Sequence, residues 1–443
     1  MWEHLRVEQA LLSDILSRTA AFLVGGWLVV ATTLSLLRTV VIPRALRSLI
    51  SDAVAVTVVS VSFAVARVRR TYPKRDGVLA WTGPVILLAQ LMTWTVLYLV
   101  AYGLLIRGVS GMSFGDSMRE SGSSLLTLGF AAVNTENQTI IDFLAAATGP
   151  IVIALMIGFL PNIYSNYIDR EVTVTMLSTV GGEPAWGPEL LSRVALANDV
   201  DNLPRIFTDW MQWATRLRLT HVTYPVLVWV RSVRANRHYV VSLTAVMDAA
   251  ALRIALSTEQ QREAAALLLS GGQALEVLYT FLFSKRRWRD RSGFQGEFTG
   301  ESQELERSLP QLPEWDRRLM AIQAASDHDI LRGLDADAVA AVARGDRASL
   351  RITREEFDFA VDVLRRSGFP IDRDLDEAWD LFRIARTRYE FASHEVCRRL
   401  DATPAPWTGP RNQSTATLWP TLAINVLPSI DAAFGGDDPE ASA

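Results

Sequence analysis

Residues 77–106 read GVLAWTGPVILLAQLMTWTVLYLVAYGLLI, thirty in succession without Asp, Glu, Lys or Arg. A helix needs about 20 mostly apolar residues to cross a bilayer. Each charge at its centre would cost ~2.5–3.5 kcal/mol, so chance rarely leaves a run this long uninterrupted. The stretch decides the fold class: an all-α integral membrane protein. A second such run, FLAAATGPIVIALMIGFLPNIYSNYI, occupies 143–168 with 26 uncharged residues. Residues 20–37 (AAFLVGGWLVVATTLSLL) add 18 more, just enough for a span. Residues 53–66 (AVAVTVVSVSFAVA) are shorter, and Val54, Val56, Val58, Val61, Phe63 and Val65 partly alternate as in a strand. A buried strand is one reading. A short span is preferred, because an open strand edge cannot sit in lipid.

The whole chain has 443 residues, enough for about two or three domains. Its mean hydropathy of +0.17 averages over a sharp division. The first ~175 residues hold the long uncharged runs, and the remainder carries most of the charge. With 49% hydrophobic residues, a wholly disordered chain is excluded. A net charge of −4 and a pI near 5.9 give no footprint for nucleic acid. Lys74 and Lys285 are the only lysines, a composition that fits a high-GC bacterial source. Cys397 is the only cysteine, which rules out an intrachain disulfide and a thiolate metal cluster. The five histidines are scattered without metal-ligand spacing, and no cofactor is expected. No Ser/His/Asp or Cys/His set and no phosphate-binding glycine motif is present, so an enzyme is not expected. Residues 1–19 are amphipathic and lack the form of a cleavable leader.

Loop charges set the orientation. Residues 67–75 (RVRRTYPKR) hold five Lys or Arg, whereas 108–142 hold only Arg119. The positive-inside rule places 67–75 in the cytoplasm and 108–142 outside. Both termini are then cytoplasmic. Arg38, Arg44 and Arg47 oppose the rule, so the first hairpin is either spanning, re-entrant or interfacial. Trp81, Trp94, Tyr98 and Tyr102 are aromatic, and those near the ends of the run suit an interfacial belt. The domain reading is an N-terminal amphipathic segment (1–19), a first transmembrane hairpin (20–70), a pore module (77–170), a helical cytoplasmic domain (171–400) and an irregular tail (401–443).

Between the two strongest runs, 107–142 read RGVSGMSFGDSMRESGSSLLTLGFAAVNTENQTIID. The order is span, short amphipathic helix (about 113–125), Thr-Leu-Gly-Phe, polar turn, span. Non-helical backbone at membrane depth is tolerated only where it is buried in protein or lines a water-filled cavity. The C-terminal end of a half-length helix carries partial negative charge and favours a cation. Gly122, Ser123 and Ser124 are small enough for close packing.

Here the chain resembles the potassium-channel pore-loop family. Ser123–Phe130 (SSLLTLGF) is similar to the family's Thr-Val-Gly-Tyr-Gly filter, placed between two spans as in a two-helix pore module. The resemblance implies that Thr127, Leu128, Gly129, Phe130 and Ala131 form an ion filter whose carbonyls replace the hydration shell of K⁺. The family's second glycine is Ala131 here, and the following Asp is Ala132. A Cβ there changes the outer end, with missing outer ion sites, relaxed selectivity or a non-conducting pore as the outcomes. One pore loop cannot enclose an ion, so the resemblance implies a homotetramer in a bacterial plasma membrane, with K⁺ as permeant ion. Gly158 and Pro161 in the last span are a candidate gate hinge; alternatively, Gly158 is a packing point and Pro161 ends the helix. The long C-terminal region is similar to that of pore-containing actinobacterial membrane proteins with a helical domain. Its regulator is not readable. Two other functions remain open: a non-conducting membrane scaffold, or a mechanosensitive channel with a different pore.

From 171 onward, helical periodicity predicts helices at 188–199, 203–217, 239–256, 259–283, 314–327, 354–366 and 374–400. Residues 239–256 are almost apolar enough to span. Asp248 and Arg253 interrupt them, which favours a buried bundle helix with Asp248 paired to an Arg. Trp210 and Trp213 are expected in the core. The basic run Lys285–Arg291 reads as a solvated loop or a contact for anionic lipid.

Overall fold

The computed structural model describes residues 2–42, 48–131, 136–283 and 351–407. The expected helix at 314–327, the loop at 285–310, Ala132, Pro43, Arg44, Arg47 and the tail beyond 407 lie outside the described residues. Among those described, the chain is helical and contains no strand. Among the described residues, six helices are long and apolar enough to cross a membrane.

Helix α1 runs unbroken from Trp2 to Leu36 and ends in one π-helical turn, Leu37–Val41. The expected N-terminal segment and first apolar run are therefore one helix. α2 spans Leu49–Arg67, begun by Ser48, whose hydroxyl accepts from the Ser51 amide. The alternating valines of 54–65 lie on this helix, so the strand alternative falls. α3 (Tyr72–Leu79) begins within the basic loop, where no helix was expected, and runs into the start of the 77–106 stretch. α4 covers Thr82–Ser110, α5 Phe114–Leu125, and α6 Glu136–Gly181. α5 lies where a half-length helix was expected.

The chain divides into two compact units. The first gathers 1–168 and 220–231, the second 169–219 and the described residues from 232 onward. The first unit is built around α4. Trp94, Tyr98, Tyr102 and Ile106 are at most 4% exposed. Of the aromatics near the ends of this run, Trp81 is exposed as a belt residue would be, whereas Tyr102 is buried, which corrects the belt reading there. The buried rings satisfy their polar ends across helices. Trp94 donates to Ser35 at 3.1 Å, Tyr98 pairs with Thr33 at 2.9 Å, and Tyr102 with Thr148 at 2.7 Å. Such bonds matter most where the alternative is an orphan polar group in hydrocarbon.

A segment distant in sequence completes this unit. Residues 220–231 contain a 3₁₀ turn, Pro225–Trp229, with Leu227 fully buried in the core. Tyr224 packs on Phe159 of α6, with ring centroids 5.7 Å apart. Trp229 meets Phe63 of α2 edge-on, and Arg231 bonds Asp76 at 2.9 Å.

The second unit is a helical bundle. It contains α7 (Gly187–Leu196), α8 (Leu203–Thr223, through Leu219), α9 (Tyr239–Leu256), α10 (Arg262–Phe283), α11 (Arg354–Arg366) and α12 (Leu375–Leu400). α9 is its centre. Protein covers 94% of its apolar window, so it is apolar all round because other helices wrap it. Asp248 pairs with Arg386 of α12, as expected, and accepts from Tyr389 Oη at 2.6 Å. Trp210 and Trp213 are core, 4.7 Å apart.

Candidate functional site

The loop after α5 was the expected site, and its backbone is unusual. α5 begins at Ser113, whose hydroxyl accepts from the Asp116 amide at 3.2 Å. Its 12 residues make roughly 18 Å, too short to span. At its end the chain reverses through two left-handed residues, Thr127 (φ +54°) and Gly129 (φ +68°). Glycine accepts this conformation freely. For β-branched Thr127 it costs about 1–2 kcal/mol. Strain of this kind is held only where surrounding contacts over-determine it, and it concentrates at functional sites.

The contacts that hold it come from two serines. The Thr127 amide donates to the Ser124 carbonyl at 3.0 Å. The Leu128 and Gly129 amides donate to the Ser123 carbonyl at 2.7 and 3.3 Å. The Phe130 and Ala131 amides donate to Ser123 Oγ at 2.9 and 3.1 Å. All successive N–H groups from 127 to 131 thus turn toward the end of α5. Among the described residues, the carbonyls of 127–131 accept no hydrogen bond. Thr127, Leu128, Gly129 and Phe130 are exposed. A loop with its donors consumed and its acceptors open has the chemistry to replace water around a cation.

Behind the loop lie two carboxyl groups. Ser124 Oγ donates to Asp142 of α6 at 2.8 Å. Glu120 is 2% exposed and neighbours Asp142 and Gln138. Asp142 and Glu120 each keep one buried oxygen without a partner among the described residues. The cluster ties α5 to the start of α6. Arg119 covers the Phe130 ring at 5.5 Å.

Gly149 sets the approach of α6. A Cβ there would lie 1.9 Å from the Leu125 carbonyl oxygen, far inside contact distance. Gly149→Ala must therefore push the end of α5 and its loop away from α6. The expected loss is about 1–3 kcal/mol, read as a lower Tm of the detergent-extracted protein. An unchanged Tm would contradict this packing.

Gly158 and Pro161 fall inside α6, which continues through both to Gly181. Pro161 therefore does not end the helix, and that alternative is corrected. Within the chain, a Cβ at Gly158 would meet nothing within 4 Å, so Gly158 is not an intrachain packing point either. Asn162 Nδ2 reaches the Gly158 carbonyl at 3.4 Å, beside the amide that Pro161 lacks.

Sequence reasoning missed Ser123 as the organiser of the loop, and missed Glu120, Asp142 and Gly149. The available signal was two acids flanking a serine-rich run between long uncharged stretches. Elsewhere, no group of three or more His, Cys, Asp or Glu residues could hold a metal among the described residues. Burial pushes the Cys397 thiol up to about 12, so it stays protonated and is a poor nucleophile at neutral pH. No protein-family model, curated protein or solved structure matches the chain.

Proposed function

We propose that the chain is a cation channel, assembled as a homotetramer around the loop 127–131, with K⁺ as the permeant ion. The observation that carries this reading is the set of amides drawn onto Ser123 and Ser124, which leaves the carbonyls of Thr127, Leu128, Gly129, Phe130 and Ala131 free to coordinate. Rings of backbone carbonyls are the chemistry of K⁺ filters. One chain supplies one arc of such a ring, so copies must close it. Exposed apolar residues on α6, among them Phe143 and Ile157, supply faces for neighbouring copies or lipid. The protein sits in a bacterial plasma membrane with both termini in the cytoplasm, as the cations of 67–75 favour. Gly158 and Pro161 form the hinge of the inner helix. Ala131 shapes an outer filter end unlike that of a glycine-ended filter.

The test is K⁺ efflux from liposomes carrying the purified full-length protein. The reading expects efflux with K⁺ that exceeds efflux with Na⁺. Absence of any cation flux from correctly inserted protein counts against it and favours a scaffold.

A further inference from the structure

We propose that the groove between the end of α2 and α3 binds one anionic phospholipid per chain, an inference independent of the channel reading. The groove encloses about 450 Å³. Val61, Val65, Val78 and Trp81 form its apolar wall, and Arg69 and Lys74 stand over it. Val61, Val65 and Trp81 are 58%, 47% and 69% exposed, continuing the outward apolar face of α2.

The charges are available. Asp76, the acid nearest in sequence, is already bonded to Arg231 at 2.9 Å, and Arg75 lies over the Tyr72 ring. Neither Arg69 nor Lys74 has an ion pair among the described residues, and both are exposed. Guanidinium and ammonium groups together suit a phosphodiester, the first as a planar fork and the second as a point charge. A free anion gains nothing from the apolar wall. A zwitterionic headgroup gains little from uncompensated cations, and a second copy would bring the same positive charge. A lipid with a net negative headgroup satisfies both halves: its phosphate meets the cations, and an acyl chain lies along the valines. The indole of Trp81 belongs at that boundary. Juxtamembrane cations contribute about 1 kcal/mol each toward an anionic leaflet.

Native mass spectrometry of the full-length protein with phosphatidylglycerol or phosphatidylcholine tests the site. The wild type is expected to retain phosphatidylglycerol preferentially. Arg69→Gln with Lys74→Gln should weaken retention about 30-fold, the equivalent of about 2 kcal/mol. Val65→Glu should expel the lipid with both cations intact, and Arg205→Gln, on a helix of the second unit, should change nothing. Equal retention of the two lipids overturns the proposal, as does undiminished phosphatidylglycerol in either groove variant. Displacement by excess inorganic phosphate alone would make it a phosphate site and overturn the lipid assignment.

Discussion

On the proposed channel reading, Gly129→Asp is expected to abolish K⁺ flux without dissociating the proposed tetramer. A Cβ at Gly129 meets nothing within 4 Å in its own chain, so the substitution causes no clash there. Its cost to the chain is the left-handed backbone, about 1–2 kcal/mol. Its cost to conduction is far larger. Related copies would place a ring of carboxylates beside the carbonyls of 127–131. Conduction needs binding weak enough for the ion to leave. Each 1.4 kcal/mol of extra trapping slows exit about tenfold, so a loss of at least about 100-fold follows from even modest deepening. Gly129→Ala carries the strain without the charge and should lose much less. Flux rate and particle mass in detergent check this pair. Full flux in Gly129→Asp would remove 127–131 from the permeation path.

Arg386→Met should produce the largest loss of stability in the second unit. Arg386 is 1% exposed and bonds Asp248, Glu390 at 3.2 Å and the Trp407 carbonyl. Removing one partner of a buried pair leaves the other charge uncompensated, at about 3–5 kcal/mol. Asp248 already carries one buried oxygen with no partner among the described residues, so it has little spare solvation. Adding Asp248→Asn should recover part of the loss, because the amide removes the stranded charge and can still accept from Tyr389. Thermal unfolding of the full-length protein reads both variants. Equal Tm values for wild type and Arg386→Met would show that the network adds no net stability.

Helices were legible where one period dominated. Residues 354–366 carry a helical period whose apolar face, Phe357, Ala360, Val361 and Leu364, is buried, whereas 239–256 was read from an almost apolar run interrupted by Asp248 and Arg253. The partial alternation of Val54–Val65 left a strand open as the alternative, and the preferred short span is a helix in the structure. Other features were not legible. The helix Tyr72–Leu79 was hidden because clustered Arg and Lys obscure amphipathic spacing. The segment 220–231 is too short for periodicity, and Leu227 is buried only by partners far away in sequence. Tyr102, near the end of its run, suited an interfacial belt because composition does not reveal a hydroxyl partner on another helix. In the loop, the order of span, half-helix, TLGF and span was readable. The gathering of amides onto Ser123 was not, since it depends on the signs of φ at 127 and 129. The serine that looked like a packing residue is a hydrogen-bond hub, and the packing point is Gly149.

In the proposed assembly, copies of 127–131 surround one axis. Imaging of single particles of the detergent-extracted protein is expected to show a fourfold particle with the carbonyls of Thr127–Ala131 facing the symmetry axis. A monomer, a dimer, or a tetramer whose Phe130 loop lies on its outer rim would contradict it.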